Sequence, residues 1–492
     1  MATKKFTILH SNDMHGDFLS EKIASKGGLS KELIGGLALL SGYINKVREE
    51  EKNVLYVISG DMLQGSLIDT EYKGISTIEI INYLAPDVVS LGNHEFDYGL
   101  PHLLFLEKMA NFPIVNANLY IKKYNRRLMQ PYKILTKDGF QILFTGIITE
   151  KVIDSIAQDK LISSFITLEE ASREVGKICN AYKNDDIDLT ILLTHIGIDS
   201  DLELAKILHP DWGVDMIIGG HSHTIMKHPE QVNNILIAQA GTGTNQIGRF
   251  DIVVEDDTNS IVDFKWRSVK IDNRIAKPDQ RLKGFISSFK SKVDQKYNAI
   301  VGKLAVQLTH PKREIETSLG NLFADAFAQS AACDVMLTGS GSIRSKSLGP
   351  VVTLQDLKSC FPYDDSLTRF SITGSQLKKI FSHFMRIENR DGEGENYQVN
   401  AGIKAVYNDS KAELESLQIN QIDVENDQFY TVCIQNFHVL NSKKYLDISN
   451  EELLASGKTK VISTSAYEVI EEYLRNNMNV SEKVEGRLVY KK

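Results

Sequence analysis

The chain has 492 residues, 42% hydrophobic and 24% charged, with a net charge of -8. That length exceeds what a single core usually serves, so two domains are expected, and the composition is that of an ordered globular protein. The acidic balance speaks against nucleic acid or an anionic membrane as partner, because both recruit clustered Lys and Arg; a small anionic substrate stays open, since bound metal would supply local positive charge.

In chain order, the N-terminus enters a strand, FTILH, without the apolar stretch of a secretory leader, and no run approaches the roughly 20 apolar residues of a membrane span. The sequence alone therefore predicts a cytoplasmic protein, monomeric or weakly oligomeric, or an extracytoplasmic one if a leader has been trimmed. Strand-like runs then alternate with helical patterns to about residue 270. Helix periodicity marks 35–51, 75–85 and 100–112, while 233–241, 248–257 and 261–271 read as strands of a second sheet packed on the first. The polar helical stretch 278–302 reads as a connector, and a new α/β pattern follows from about 303: a helix over 319–332, a strand over 334–338, a turn at 340–344 and a final helix over 465–477. The charged segment 388–398 reads as an exposed loop. The four cysteines, Cys179, Cys333, Cys360 and Cys433, form no CxxC pair and read as buried apolar thiols.

Five polar blocks, each directly after a hydrophobic run, carry the chemistry: FTILHSNDMH, VLYVISGD, VVSLGNHE, LTILLTH and VDMIIGGHSH. Such runs read as buried parallel strands, and residues just past the carboxyl ends of strands line the ligand crevice of open α/β sheets. Asp13, His15, Asp61, Asn93, His94, His195, His221 and His223 are thus expected to converge. Carboxylates, imidazoles and one carboxamide in that proportion suit two borderline divalent metals roughly 3.5–4 Å apart, with Asp61 the natural bridge; Mn, Zn, Fe, Co and Ni all tolerate such donors. His94, beside Asn93, does not easily face the same ion and is left for acid–base work. Asp97, three residues on, would fix its tautomer and favour the protonated ring. His10, just after the first strand, reads as support behind the ligands or as a structural residue, with the supporting part preferred.

On these blocks the chain resembles the bacterial 5'-nucleotidase / UDP-sugar hydrolase family, whose first domain is a calcineurin-like metallophosphoesterase. The resemblance spans nearly the whole length and is tightest over 8–223. It implies an α/β (α+β) fold: a four-layer metallophosphoesterase β-sandwich flanked by helices over 1–275, a connecting helix or hinge over 276–302, and a smaller α/β substrate-binding domain over 303–492 that closes on the metals by rotating about that helix. It implies one ion held by Asp13, His15, Asp61 and His223, the other by Asp61, Asn93, His195 and His221, and a catalytic dyad of His94 and Asp97; some members have Gln at the His223 position.

Arg344 of SGSIR matches the family's GGGIR arginine, which contacts substrate, and Arg313 is given a similar role. CFPYDDS (360–366) and NSKKYLDIS (441–449) stand where the family has a PFxN-like segment and a GGDGF-like loop. Tyr363 and Tyr445 are then the base-stacking candidates, while Asp365 replaces the Asn and the loop glycines are missing. The implied activity is release of phosphate from nucleotides by attack of a metal-bridging hydroxide. The same site would serve 2',3'-cyclic nucleotides or UDP-sugars, whereas a non-enzymatic nucleotide-binding protein would not need the full set of ligands and dyad.

Overall fold

The computed structural model describes residues 3–24, 31–121, 124, 126–148, 162–163, 167–390, 395–455 and 458–492. The chain divides into two compact units, Met1–Val293 and Asp294–Lys492, and the division falls inside helix Gln280–Tyr297.

The first unit stacks two six-stranded sheets. In the first, strands Thr3–Ser11, Val54–Ser59, Val88–Ser90 and Ile114–Val115 run parallel. In the second, Phe140–Ile148, Leu189–His195, Met216–Ile218 and Ile235–Ala238 do the same. The five runs read from the sequence are therefore shared between two sheets, three in one and two in the other. Strands Gln246–Glu255 and Ser260–Lys270 correct the expected layout. They extend the first sheet, with Gln246–Glu255 antiparallel to Thr3–Ser11 from Thr3↔Glu255 to His10↔Gly248. Alternation identifies a strand, but its sheet is chosen by long-range pairing that no local pattern records.

Along Leu189–His195, the side chains of Leu189, Ile191 and Leu193 fill the space between the sheets with Phe6, Ile8, Val57 and Phe144. Leu192 turns the other way, against Val175, Ile178 and Leu204 of helices Leu168–Ala181 and Ile198–Ile207. Both faces are buried, so the run is continuously apolar rather than alternating. Helix Leu37–Glu50 packs on strand Val54–Ser59 and on helix Ile75–Leu84, which gives the helix–sheet–sheet–helix layering.

The second unit is built on a mixed five-stranded sheet in the order Tyr397–Val399, Val335–Gly339, Phe429–Gln435, Leu367–Thr373, Lys460–Ser463. Helices Ser318–Ala331, Leu354–Cys360 and Ala466–Asn476 cover one face through Leu322, Phe323, Leu357 and Ile470. Helix Gly374–Phe384 and the strand Ile403–Asn408 cover the other through Leu377, Phe381 and Ala405.

The segment 388–398 departs from the expected loop. Ile387–Arg390 is a short helix and Tyr397–Val399 an edge strand on Val335–Gly339; residues 391–394 lie outside the described residues. Among the cysteines, Cys360 and Cys433 are buried but Cys179 and Cys333 only partly, and all four are free thiols. Among the described residues, no helix is long and apolar enough to cross a membrane.

Candidate functional site

Where the strands of the first unit end, the backbone takes turns that L-residues resist. Asp13, His15, Asp61, His221 and His223 have φ of 51°, 48°, 53°, 80° and 53°. The left-handed region costs a side chain about 1–2 kcal/mol, so such a cluster persists only where the surroundings hold it. Glycine gives these turns room: a Cβ on Gly92 would meet Asp61 Oδ1 at 2.2 Å, and one on Gly220 would meet Ser59 O at 2.6 Å.

Two residues without an assigned part in the sequence reading fasten the turns. Glu95 accepts the backbone N–H groups of Gly92 (2.6 Å), Asp61 (2.9 Å) and Met62 (2.8 Å), which ties the GD turn to the GNHE turn. Burial, and then the Asp61 carboxylate, push its carboxyl up to about 7 against the pull of those amides. Asn12 donates to Asp13 Oδ2 at 2.7 Å and accepts the Ala240 N–H at 2.9 Å. Replacing Glu95 with alanine is expected to strand three buried amides at about 1–3 kcal/mol each. A clear drop in the thermal unfolding midpoint, with metal affinity down roughly 10–100-fold, checks this.

The side chains gather around two buried carboxylates. Asp61 Oδ2 lies 3.1 Å from His195 Nε2 and 3.9 Å from His15 Nε2. Asp13 Oδ1 lies 3.4 Å from His223 Nε2, 3.8 Å from His195 Nε2 and 4.0 Å from His15 Nε2. Asn93 Oδ1 is 3.2 Å from His221 Nδ1, and the His221 and His195 ring centroids are 5.3 Å apart. Three sets of donors are close enough to share an ion: Asp13, His15 and His223; Asp13, Asp61 and His195; His15, Asp61 and His94. The second set brings Asp13 beside His195, across the division of ligands that the family resemblance implies. The third brings His94 within reach of an ion, which its place next to Asn93 did not suggest.

The residues fit a divalent metal. His195 Nδ1 donates to Ser59 O at 2.9 Å, which leaves Nε2 buried, without a hydrogen-bond partner and facing Asp61. A lone pair aimed at carboxylates is repelled unless a cation stands between them. The same demand appears in the proton equilibria. Burial opposes charge on His195, yet Asp61 and Asp13 raise it to about 9, while Asp61, also opposed by burial, is held at about 2 chiefly by His195. His15 and His221 are pushed down, first by burial, toward the neutral imidazole that ligates metal.

His94 Nδ1 is 2.7 Å from Asp97 Oδ2, and this bond raises the imidazole's pKa against burial. Gln64 Nε2 donates to the same oxygen at 3.0 Å. His10 is corrected. It packs against Phe250 and takes the Trp266 indole N–H at 3.3 Å, and burial alone pushes it down to about 3, so it is a neutral core residue.

The second unit has its own pocket, a cavity of about 560 Å³ whose lining includes Arg313, Arg344, Tyr363, Asp365 and Tyr445. Arg344 donates to the Tyr363 hydroxyl at 2.6 Å with its guanidinium 5.3 Å from the ring centre. Tyr445 has Phe437 at 6.0 Å and the Lys444 ammonium at 4.8 Å from its centroid. Asp365 is largely occupied: its carboxylate accepts the Ser366 and Phe437 amides at 2.8 and 2.6 Å, so it positions Phe437. Among the lining residues that escaped the sequence reading are Phe437, 52% exposed, and Glu395. Glu395 accepts the Gly341 N–H at 3.0 Å, and burial pushes its carboxyl up despite Arg313 and Arg344.

The family model of the calcineurin-like phosphoesterases matches residues 6–224, and that of the 5'-nucleotidase C-terminal domain matches 300–448. The trifunctional nucleotide phosphoesterase protein YfkN of Bacillus subtilis is 26% identical over 98% of the chain, which spans only 34% of that longer protein. A snake venom 5'-nucleotidase of Crotalus adamanteus is 25% identical, covering 99% of this chain and 89% of its own. The crystal structure of a 5'-nucleotidase precursor from Thermus thermophilus shares the fold over 99% of both chains, with a TM-score of 0.58 at 21% identity. The expected cytoplasmic location is overturned. Relatives aligned along nearly the whole chain are venom proteins, hence secreted, and the way the given sequence begins carries no weight against that.

Proposed function

We propose a function from one premise: the chain belongs to the calcineurin-like phosphoesterases that carry a 5'-nucleotidase C-terminal domain. It is a metal-dependent phosphoric ester hydrolase that releases phosphate from nucleotides. The observation that carries this reading is the gathering of Asp13, Asp61 and five imidazoles at the strand ends of the first unit, with His195 Nε2 buried 3.1 Å from Asp61 Oδ2 among them. Asp13, His15, Asp61 and His223 would hold one divalent ion and Asp61, Asn93, His195 and His221 a second. Such ions polarise phosphoryl oxygens and lower the pKa of water.

The chain's own residues supply the rest. Asp97 favours the protonated form of His94 and orients the ring, so that its other ring nitrogen offers an N–H to the phosphoryl oxygens and to the departing oxygen. Glu95 and Asn12 hold the ligand turns in place before substrate arrives. In the pocket of the second unit, Tyr363, Tyr445 and Phe437 present flat faces to a base, and Arg344 and Arg313 present donors to substrate oxygens.

Chelation is expected to abolish phosphate release from nucleoside monophosphates, and re-addition of Mn, Co, Ni, Fe or Zn salts singly to restore it to differing extents. Elemental analysis should find up to two ions per chain. Full activity in a sample shown to be metal-free would sink the reading.

A further inference from the structure

Glu395 has no task in the scheme above. Three carboxylates line the pocket of the second unit, and two are already engaged. Asp364 Oδ1 accepts the Ser465 hydroxyl at 2.7 Å and the Tyr467 N–H at 3.3 Å, and Asp365 accepts two backbone amides. Glu395 spends only Oε1, on Gly341; among the described residues no hydrogen bond engages Oε2. A half-used carboxylate in a cavity wall calls for a ligand that donates an O–H or N–H, and it repels phosphate.

Its position narrows the choice. Glu395 stands on the SGSIR turn, in the field of Arg313 and Arg344. Elsewhere in the lining Phe437, His438 and Tyr445 form an aromatic cluster with centroids 5.2–6.0 Å apart. A base stacked on those rings directs its sugar toward the arginine end of the cavity, where the groups left to satisfy a carboxylate are ribose hydroxyls. Carboxylates elsewhere meet ribose in this way.

We propose that Glu395 accepts a hydrogen bond from a ribose hydroxyl of the bound nucleotide and so selects ribonucleotides over their 2'- or 3'-deoxy counterparts. This rests on the nucleotide reading given above. A substrate lacking the hydroxyl leaves a half-buried carboxylate oxygen without a donor, which is worth roughly a tenfold to hundredfold loss in kcat/KM.

The test measures phosphate release by the metal-loaded enzyme from a nucleoside monophosphate and from its 2'-deoxy and 3'-deoxy forms, in the wild type, Glu395→Gln and Glu395→Ala. The expected result is a ribose preference of about tenfold or more at one hydroxyl in the wild type, falling toward unity in the variants chiefly through KM. Glu395→Gln keeps the side-chain size and an acceptor for Gly341 N–H, so a merely structural role would leave the ratio where it was. An unchanged ratio in Glu395→Gln, or no ribose preference in the wild type, overturns the assignment. A shift in base preference with the sugar ratio intact does so too, by placing Glu395 on the base edge. A wild type that cleaves p-nitrophenyl phosphate but no nucleotide brings down the nucleotide reading instead.

Discussion

Asp61→Asn is expected to cut phosphate release from nucleoside monophosphates by at least ~10³-fold and to leave the protein short of metal. Asp61 is 2% exposed and stands between His195 and His15. Its other oxygen accepts the His94 backbone N–H at 3.0 Å, an interaction that asparagine can reproduce through its carbonyl. The change therefore removes one negative charge and little volume, and the unfolding midpoint should move far less than the rate. What is lost is the carboxylate that would serve both proposed ions. The substitution should thus lower the metal content of the purified protein below that of the wild type, and excess metal should recover only part of the activity. Near-normal turnover with two ions bound would remove Asp61 from the scheme.

How far the sequence spoke for this centre depends on how local each signal is. Every candidate ligand lies within a few residues of the end of an apolar run, because the sheets of the first unit are buried on both faces and their strands read as unbroken hydrophobic stretches. Glu95 was in plain view inside GNHEFD, yet its task is to accept amides from a turn more than thirty residues earlier, and nothing in its own neighbourhood records that partnership. Strands Gln246–Glu255 and Ser260–Lys270 were legible as strands but not as the edge of the first sheet, since the pairing of Thr3 with Glu255 spans the entire unit. Glu395 was hidden for a different reason. It follows a charged, glycine-containing stretch whose composition is that of a solvated loop, and only the edge strand Tyr397–Val399 draws it against Gly341 and into the cavity wall.

His94→Gln is expected to lower kcat for nucleotides by roughly 10²–10⁴-fold, with the metal content unchanged. The His94 side chain is about a third exposed and anchored at Nδ1 by Asp97, so the imidazole is both reachable by substrate and fixed in orientation. Glutamine can still donate a hydrogen bond to a phosphoryl oxygen, but it cannot deliver a proton to a departing alkoxide. The leaving group therefore separates the two tasks given to this residue. With p-nitrophenyl phosphate, whose phenolate departs without protonation, the variant should lose much less than with a nucleoside monophosphate; equal losses on both substrates would confine His94 to stabilising the phosphoryl oxygens. Asp97→Asn supplies the second arm. It leaves the imidazole in place but removes the charge that raises its pKa, so it should reproduce the same dependence on the leaving group with a smaller overall loss. Two variants sharing that signature would show that His94 and Asp97 act as one unit, whereas an Asp97→Asn enzyme affected alike on both substrates would place Asp97 in the support of the loop alone.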